Sequence, residues 1–158
     1  VGDGKFDPDG ALTRAMFVTV LWRLAGSPSE GTHEFKDAGQ DAYYSEALAW
    51  ASNNGIVSGY GNGLFGVDDE VTREQMCVIF VNYLKYLGFD LSDITEKVPF
   101  ADDADISSWA KEAVNICRSL GIISGKGNNI FDPASSSTRA ECSTLFIRFI
   151  KFYLKSVK

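Results

Sequence analysis

Three Thr-Arg pairs are where chemistry is easiest to place in this 158-residue chain: Thr13-Arg14, Thr72-Arg73 and Thr138-Arg139, 59 and 66 residues apart. A guanidinium is a planar fork that meets a carboxylate through two charge-assisted hydrogen bonds. At the first position of a helix it is joined by the N-terminal partial charge, which also favours an anion. Spacing alone leaves a second reading open, a helix start with a solvated Arg. Other chemistries have weaker footing. His33 is the sole histidine and lies in a Ser/Gly/Pro-rich linker, a poor place to hold a general base in register. No nucleophile elbow or P-loop is present, so catalysis is not expected. Asp3-Gly4-Lys5-Phe6-Asp7 resembles the start of a calcium loop, but its twelfth position falls on Arg14 or Val18 rather than a glutamate. Asp102-Asp103-Ala104-Asp105 fails the same way at Ala113 and Val114. No metal or other cofactor is expected.

Composition narrows the partners. The 21 acidic and 15 basic residues give a net charge of −6, which disfavours nucleic acid. With 45% apolar and 23% charged residues, a packed core is expected. No apolar run reaches the ~18 residues of a membrane span. Three cysteines, Cys77, Cys117 and Cys142, cannot form a closed disulfide set and include no CxxC. Cys77 and Cys142 sit in helical apolar patterns, where a buried thiol is expected. The chain starts at Val1, as a cut fragment would, so a missing signal peptide says little about compartment.

The Arg residues must be positioned by repeated elements. Apolar residues at i, i+3, i+4 and i+7 follow each Thr-Arg: Met16, Phe17, Val20, Leu21 and Leu24, then Met76, Ile79, Phe80, Tyr83, Leu84 and Leu87, then Cys142, Leu145, Phe146, Phe149, Ile150, Tyr153 and Leu154. These are helical stripes. Each Thr is the expected N-cap, and Gln75 or Glu141 completes a capping box that Met16 cannot. Gly26 and Gly88 are expected C-caps. Upstream of two of these helices runs Phe-x-Asp, an aromatic residue, an Ala-rich helix and Gly-Ile-x-Ser-Gly. One copy is Phe35, Asp37, Tyr43 and Gly55–Gly59; the other is Phe100, Asp102, Trp109 and Gly121–Gly125. Weaker helices are expected near 42–54 and 107–120, with linkers at Ser27–Glu34 and Asp90–Pro99. The Asp of Phe-x-Asp is expected to N-cap the following helix. Trp22 and Trp50 read as packing residues.

This order resembles the S-layer homology repeat, over nearly the whole chain. Thr138-Arg139-Ala140-Glu141 matches the family's best-known motif, and residues 13–16 and 72–75 are variants. The divisions are 1–26, the C-terminal half of a first repeat, 35–88, a second repeat, and 100–158, a third. The resemblance implies a mainly α fold: tandem repeats forming a pseudo-threefold, three-pronged helical spindle, here lacking the first helix of repeat one. It implies non-covalent anchoring of exported bacterial proteins at the cell wall, through secondary cell-wall polysaccharide that often carries a pyruvate ketal on N-acetylmannosamine. The expected location is extracellular, at the wall or S-layer surface.

By this resemblance the ligand residues are Arg14, Asp37, Tyr43, Arg73, Asp102, Trp109 and Arg139, lining grooves between repeats. A ketal-linked pyruvate is a fixed carboxylate for Arg. Tyr43 and Trp109 offer ring faces to a sugar, and Asp37 and Asp102 accept hydroxyls or orient the Arg. The expected pairing is Arg14 with Asp37 and Tyr43, and Arg73 with Asp102 and Trp109; Arg139 would depend on the missing helix. A central bundle with two of its three helices would expose apolar side chains, so an upstream segment, a second chain or a domain swap is expected to supply the third. The alternative is a structural assembly module that packs with another chain and binds no glycan. The basic Arg148, Lys151, Lys155 and Lys158 suit the C-terminal dipole of the last helix.

Overall fold

The computed structural model describes residues 7–94 and 99–156. The start of the first Gly-rich motif, Gly2–Phe6, lies outside the described residues, as do residues 95–98 of the second linker and Lys158. Among the described residues, five α-helices make up the fold: α1 (Arg14–Leu24), α2 (Ser45–Asn53), α3 (Arg73–Tyr86), α4 (Lys111–Ser119) and α5 (Arg139–Ser156). The described residues contain no β-strand, only isolated bridges. The chain is thus mainly helical, as its periodicity predicts.

The helix starts follow from the Thr residues. Thr13 accepts a hydrogen bond from the Met16 N–H, Thr72 from Gln75 and Thr138 from Glu141. Gln75 and Glu141 return the bond to the Thr72 and Thr138 N–H, completing two capping boxes. At the other end, α1 to α4 are each followed by a glycine with positive φ: Gly26, Gly55, Gly88 and Gly121. A left-handed residue there closes off the last carbonyls, and glycine adopts it without strain.

The N-cap segments bind one another in a closed ring. The Leu12 N–H donates to the Ser137 carbonyl, Ser137 N–H to Val71, and Val71 N–H to Leu12. Below the ring, α1, α3 and α5 meet. Phe17, Phe80 and Phe146 pack against one another with centroids 5.2–5.4 Å apart. Beside them Cys142 Sγ lies 3.4 Å from Met76 Sδ. Cys77, Cys117 and Cys142 are free and buried, and burial raises the Cys142 thiol to about 12.

The Phe cluster corrects the expectation of an incomplete centre. The helices that meet there are the three Thr-Arg helices, and all three are in the chain. The Ala-rich helices lie outside them: α2 packs on α1, and α4 on α3. Trp50 of α2, fully buried, also contacts Tyr83 and Tyr86 of α3. No described element packs comparably on α5. There Ile147, Ile150 and Leu154 are exposed, as are Val20 and Leu24 of α1.

Two substitutions test these assignments. Phe17→Ala, which empties a fully buried position, is expected to cost about 3–5 kcal/mol. Thr72→Ala, which removes one cap, is expected to cost about 1 kcal/mol. Equilibrium urea denaturation followed by circular dichroism measures both.

Candidate carbohydrate-binding groove

Arg14 is buried at the base of a groove of about 430 Å³, whose walls include Ser58, Tyr60, Gln75, Asn82 and Trp109. Its Nε donates to the Phe65 carbonyl at 2.9 Å and its Nη2 to the Ser58 carbonyl at 3.3 Å. The guanidinium lies 4.8 Å from the Tyr60 ring centroid and 4.5 Å from that of Phe65. Two carbonyls and two rings therefore fix the plane of the fork. Burial lowers the pKa of Arg14, opposed by Tyr60, Asp69 and Asp37; an arginine stays charged regardless.

Asp37 acts one step away. Its Oδ1 accepts from the Phe65 N–H at 2.8 Å and its Oδ2 from the Gly66 N–H at 2.6 Å. The same turn presents the Phe65 carbonyl to Arg14, so Asp37 sets the acceptor that orients the arginine. Burial works to raise the Asp37 carboxyl, but the backbone N–H donors outweigh it and hold it below the usual carboxylate range. Asp102 repeats the device on Phe131 and Asp132, both at 2.7 Å, and its carboxyl is also lowered, the backbone donors again overcoming burial. The Phe131 carbonyl accepts from Arg73 Nε at 2.7 Å. Neither Asp caps a helix. The N-caps of α2 and α4 are Tyr44 and Ala110, with no side-chain hydrogen bond.

The aromatic residues are displaced by one groove from the expected pairing. Trp109, 56% exposed, stands in the groove of Arg14 rather than that of Arg73. Tyr43, 60% exposed, faces the start of α1, where its phenol interacts with Thr13 and feels Asp68 and Arg139. The reason is the outer packing. Trp109 precedes α4, which packs on α3, and α3 supplies Gln75 and Asn82 to the Arg14 groove. Arg73 therefore has no ring from the Phe-x-Asp segments in its groove wall. Arg139, expected to depend on the missing helix, has Tyr43 nearby, and its Nη2 lies 3.7 Å from Met16 Sδ. Phe6, the counterpart of Phe65 and Phe131, lies outside the described residues.

The helix starts contribute less to an anion site than their position suggests. The Arg14 N–H donates to the Asp69 carbonyl and the Ala15 N–H to Val67. Arg73 and Glu74 donate to Ser135 and Pro133, and Arg139 and Ala140 to Gly10 and Pro8. The first-turn donors are spent on neighbouring loops, which leaves the guanidinium as the cationic donor group at each helix start.

Tyr60, Glu74 and Asn82 were not singled out from sequence. Tyr60 donates its hydroxyl to Asp69 Oδ2 at 2.8 Å while its ring covers Arg14. Glu74, buried, accepts from the Ser107 N–H at 3.0 Å and hydroxyl at 2.9 Å, anchoring the segment that carries Trp109. Its signal was visible as a glutamate where the other two Thr-Arg motifs have alanine. Among the described residues no cluster of His, Cys, Asp or Glu could hold a metal. No described helix is long and apolar enough to cross a membrane.

Repeated helical units with caps, Asp-held turns and inward arginines define a class of small tandem-repeat modules. The S-layer homology domain model matches residues 34–77 and 99–141, and the chain belongs to that family. Over 144 residues, 90% of this chain and 8% of the relative, it is 32% identical to amylopullulanase of Thermoanaerobacterium thermosulfurigenes. It is 29% identical to the surface-layer 125 kDa protein of Lysinibacillus sphaericus, over 94% of this chain and 12% of that protein. It is 24% identical to the cellulosome-anchoring protein of Acetivibrio thermocellus, over 94% of this chain and 34% of that protein. The chain spans less than a sixth of the length of the first of these relatives. A segment that is 8% of an enzyme does not share its catalytic role by that likeness.

The Asp-held turns set a pH dependence. A carboxyl lowered in the folded state contributes stability above its unfolded pKa, and that stability is lost as pH falls through the folded value. Urea midpoints are therefore expected to be flat near neutrality and to drop below about pH 4. Asp37→Asn puts an NH₂ group against an N–H donor and is expected to cost about 1–3 kcal/mol at pH 7, with a shallower acid decline than the parent protein.

Proposed function

We propose that the chain is a non-covalent cell-surface anchor whose inter-repeat grooves bind secondary cell-wall polysaccharide, the Arg14 groove taking a pyruvylated amino sugar. The observation that carries this reading is one groove holding a buried, oriented guanidinium beneath the half-exposed Tyr60 ring, with the half-exposed Trp109 in the same groove wall. Nε and one Nη2 donation orient the fork, and its remaining donors are left for a carboxylate. Trp109 offers a flat apolar face to the sugar ring. Family membership supports anchoring, and relatives named as surface-layer and cellulosome-anchoring proteins support a wall location. The roles of Asp37 and Asp102 are to hold the carbonyls that orient Arg14 and Arg73. Tyr43 serves at Arg139. The repeats are arranged as a pseudo-threefold spindle, which the cyclic cap hydrogen bonds support.

The protein is acidic overall, so long-range attraction does not bring it to an anionic polymer. Affinity comes from the groove, and salt weakens it modestly because Arg14 is buried. Arg14→Ala and Trp109→Ala are each expected to reduce sedimentation with purified cell walls at least about tenfold, roughly the worth of a charge-assisted contact, with unchanged helicity. Removing the pyruvate from the polymer is expected to have the same effect. Undiminished binding by both variants contradicts the glycan reading and leaves Arg14 a structural residue that ties the turn of Phe65 to α1.

A specific feature also supports assembly through a third outer helix. Ile147 and Leu154, more than half exposed, lie on α5 close to the apolar groove of about 260 Å³ lined by Leu24, Tyr83, Phe149, Ile150 and Tyr153. A helix of the α2 and α4 kind covers this face, supplied by an upstream segment, a second copy or a swap. Residues 1–158 alone are expected to scatter light as a species heavier than 17.3 kDa, and Ile147→Glu with Leu154→Glu to return it to the monomer. A well-folded monomer of the parent chain contradicts the idea.

A further inference from the structure

The groove around Arg73 repeats that of Arg14, but its chemistry has changed. Arg73, Ser124, Lys126, Glu141, Thr144 and Arg148 bound a cavity of about 150 Å³. By repeat position, Lys126 stands where the Arg14 groove has Tyr60, Arg148 where it has Asn82, and Thr144 where it has Val78. A cation and a hydroxyl have replaced an amide and an aliphatic group, and a second cation has replaced a ring.

The replacements are coupled. Gly66 has φ +78, and a Cβ there would come within 2.6 Å of the Tyr60 ring, so glycine leaves room for that ring over Arg14. Its counterpart Asp132 has φ 59 and pairs with Lys126 Nζ at 2.7 Å. Lys126 also donates to Ser135 Oγ at 3.2 Å. Arg148 Nη1 donates to Ser124 Oγ at 2.8 Å. Arg73, 5% exposed, is held by the Phe131 and Ser124 carbonyls and lies 3.7 Å from Glu141.

We propose that the Arg73 groove binds a phosphate group, where the Arg14 groove binds a ring-borne carboxylate. One guanidinium fork satisfies a planar carboxylate. A phosphate has oxygens in several directions and is met by donors converging from several sides. Here Arg73, Lys126 and Arg148 border one small cavity with the Ser124 hydroxyl; the Thr144 hydroxyl, also in the wall, donates to the Ala140 carbonyl at 3.0 Å. Glu141 reduces the positive charge, but one of its oxygens is engaged by the Thr138 N–H and the other faces Arg73. The Lys126–Asp132 pair is exposed, and such pairs open readily in water. The phosphate is either a diester within a wall polymer or the free ion; only the diester source rests on the anchoring reading above.

The test is an amide NMR titration of residues 1–158 with three probes: inorganic phosphate, a glycerol phosphodiester and a pyruvylated N-acetylmannosamine glycoside. Both phosphate probes are expected to give saturable shifts at 124–126 and 144–148 and to leave 75–82 and the Trp109 indole unmoved. Tighter binding of the diester marks a polymer-borne group, and tighter binding of inorganic phosphate marks the free ion. Lys126→Gln with Arg148→Asn is expected to weaken phosphate at least about tenfold, with unchanged helicity. Non-saturating shifts, equal shifts in the Arg14 groove, or unchanged affinity in the double variant overturn the proposal. Failure of the pyruvylated probe alone overturns the reading of the Arg14 groove and leaves the phosphate result intact.

Discussion

The closed ring of backbone hydrogen bonds among Leu12, Val71 and Ser137 is the constraint on which the rest depends. Each of these residues immediately precedes a capping Thr, so the ring fixes three helix starts together. It joins residues more than 120 positions apart in a chain with no described strand to do so. The cost of closing such long loops is offset only if the cap segments and the Phe17, Phe80 and Phe146 cluster form together. Stability and site geometry are therefore one problem in this protein.

The placement of the arginines follows from the ring. Once the caps are fixed, the first-turn N–H groups of each helix reach the loop of a different repeat. That loop carries the Phe whose carbonyl holds the Arg: Phe65 for Arg14 and Phe131 for Arg73. The Asp of the outer segment holds the Phe turn from behind. An arginine is thus oriented by a turn from the next repeat, and that turn by a carboxylate from its own. Burial of the guanidinium is tolerated because carbonyls and rings replace the lost water.

Much of this was legible in the sequence. The period of apolar residues marks α1, α3 and α5, and the Thr, Gln75 and Glu141 residues mark their starts. Arg14 and Arg73 were named from their motif, as were the Asp residues that orient them. Two things were not legible, for physical reasons. Linear spacing does not say which helices meet in the centre, because both kinds of helix carry apolar stripes; α2 is among the most buried elements and still lies outside the Phe cluster. Nor does it say which neighbour completes a groove. Trp109 stands in the Arg14 groove because α4 packs on α3, a choice made by side-chain packing such as Glu74 with Ser107. Tyr60 and Lys126 were hidden because a Gly-rich turn reads as a connector, whereas here it forms a groove wall.

The most direct measurement is native-state hydrogen exchange at the Leu12, Val71 and Ser137 amides. A cooperative ring requires all three to exchange through the same opening, with equal free energies that match global unfolding. Exchange of any one of them at a free energy well below the other two would show that the caps are held independently, and would contradict the account.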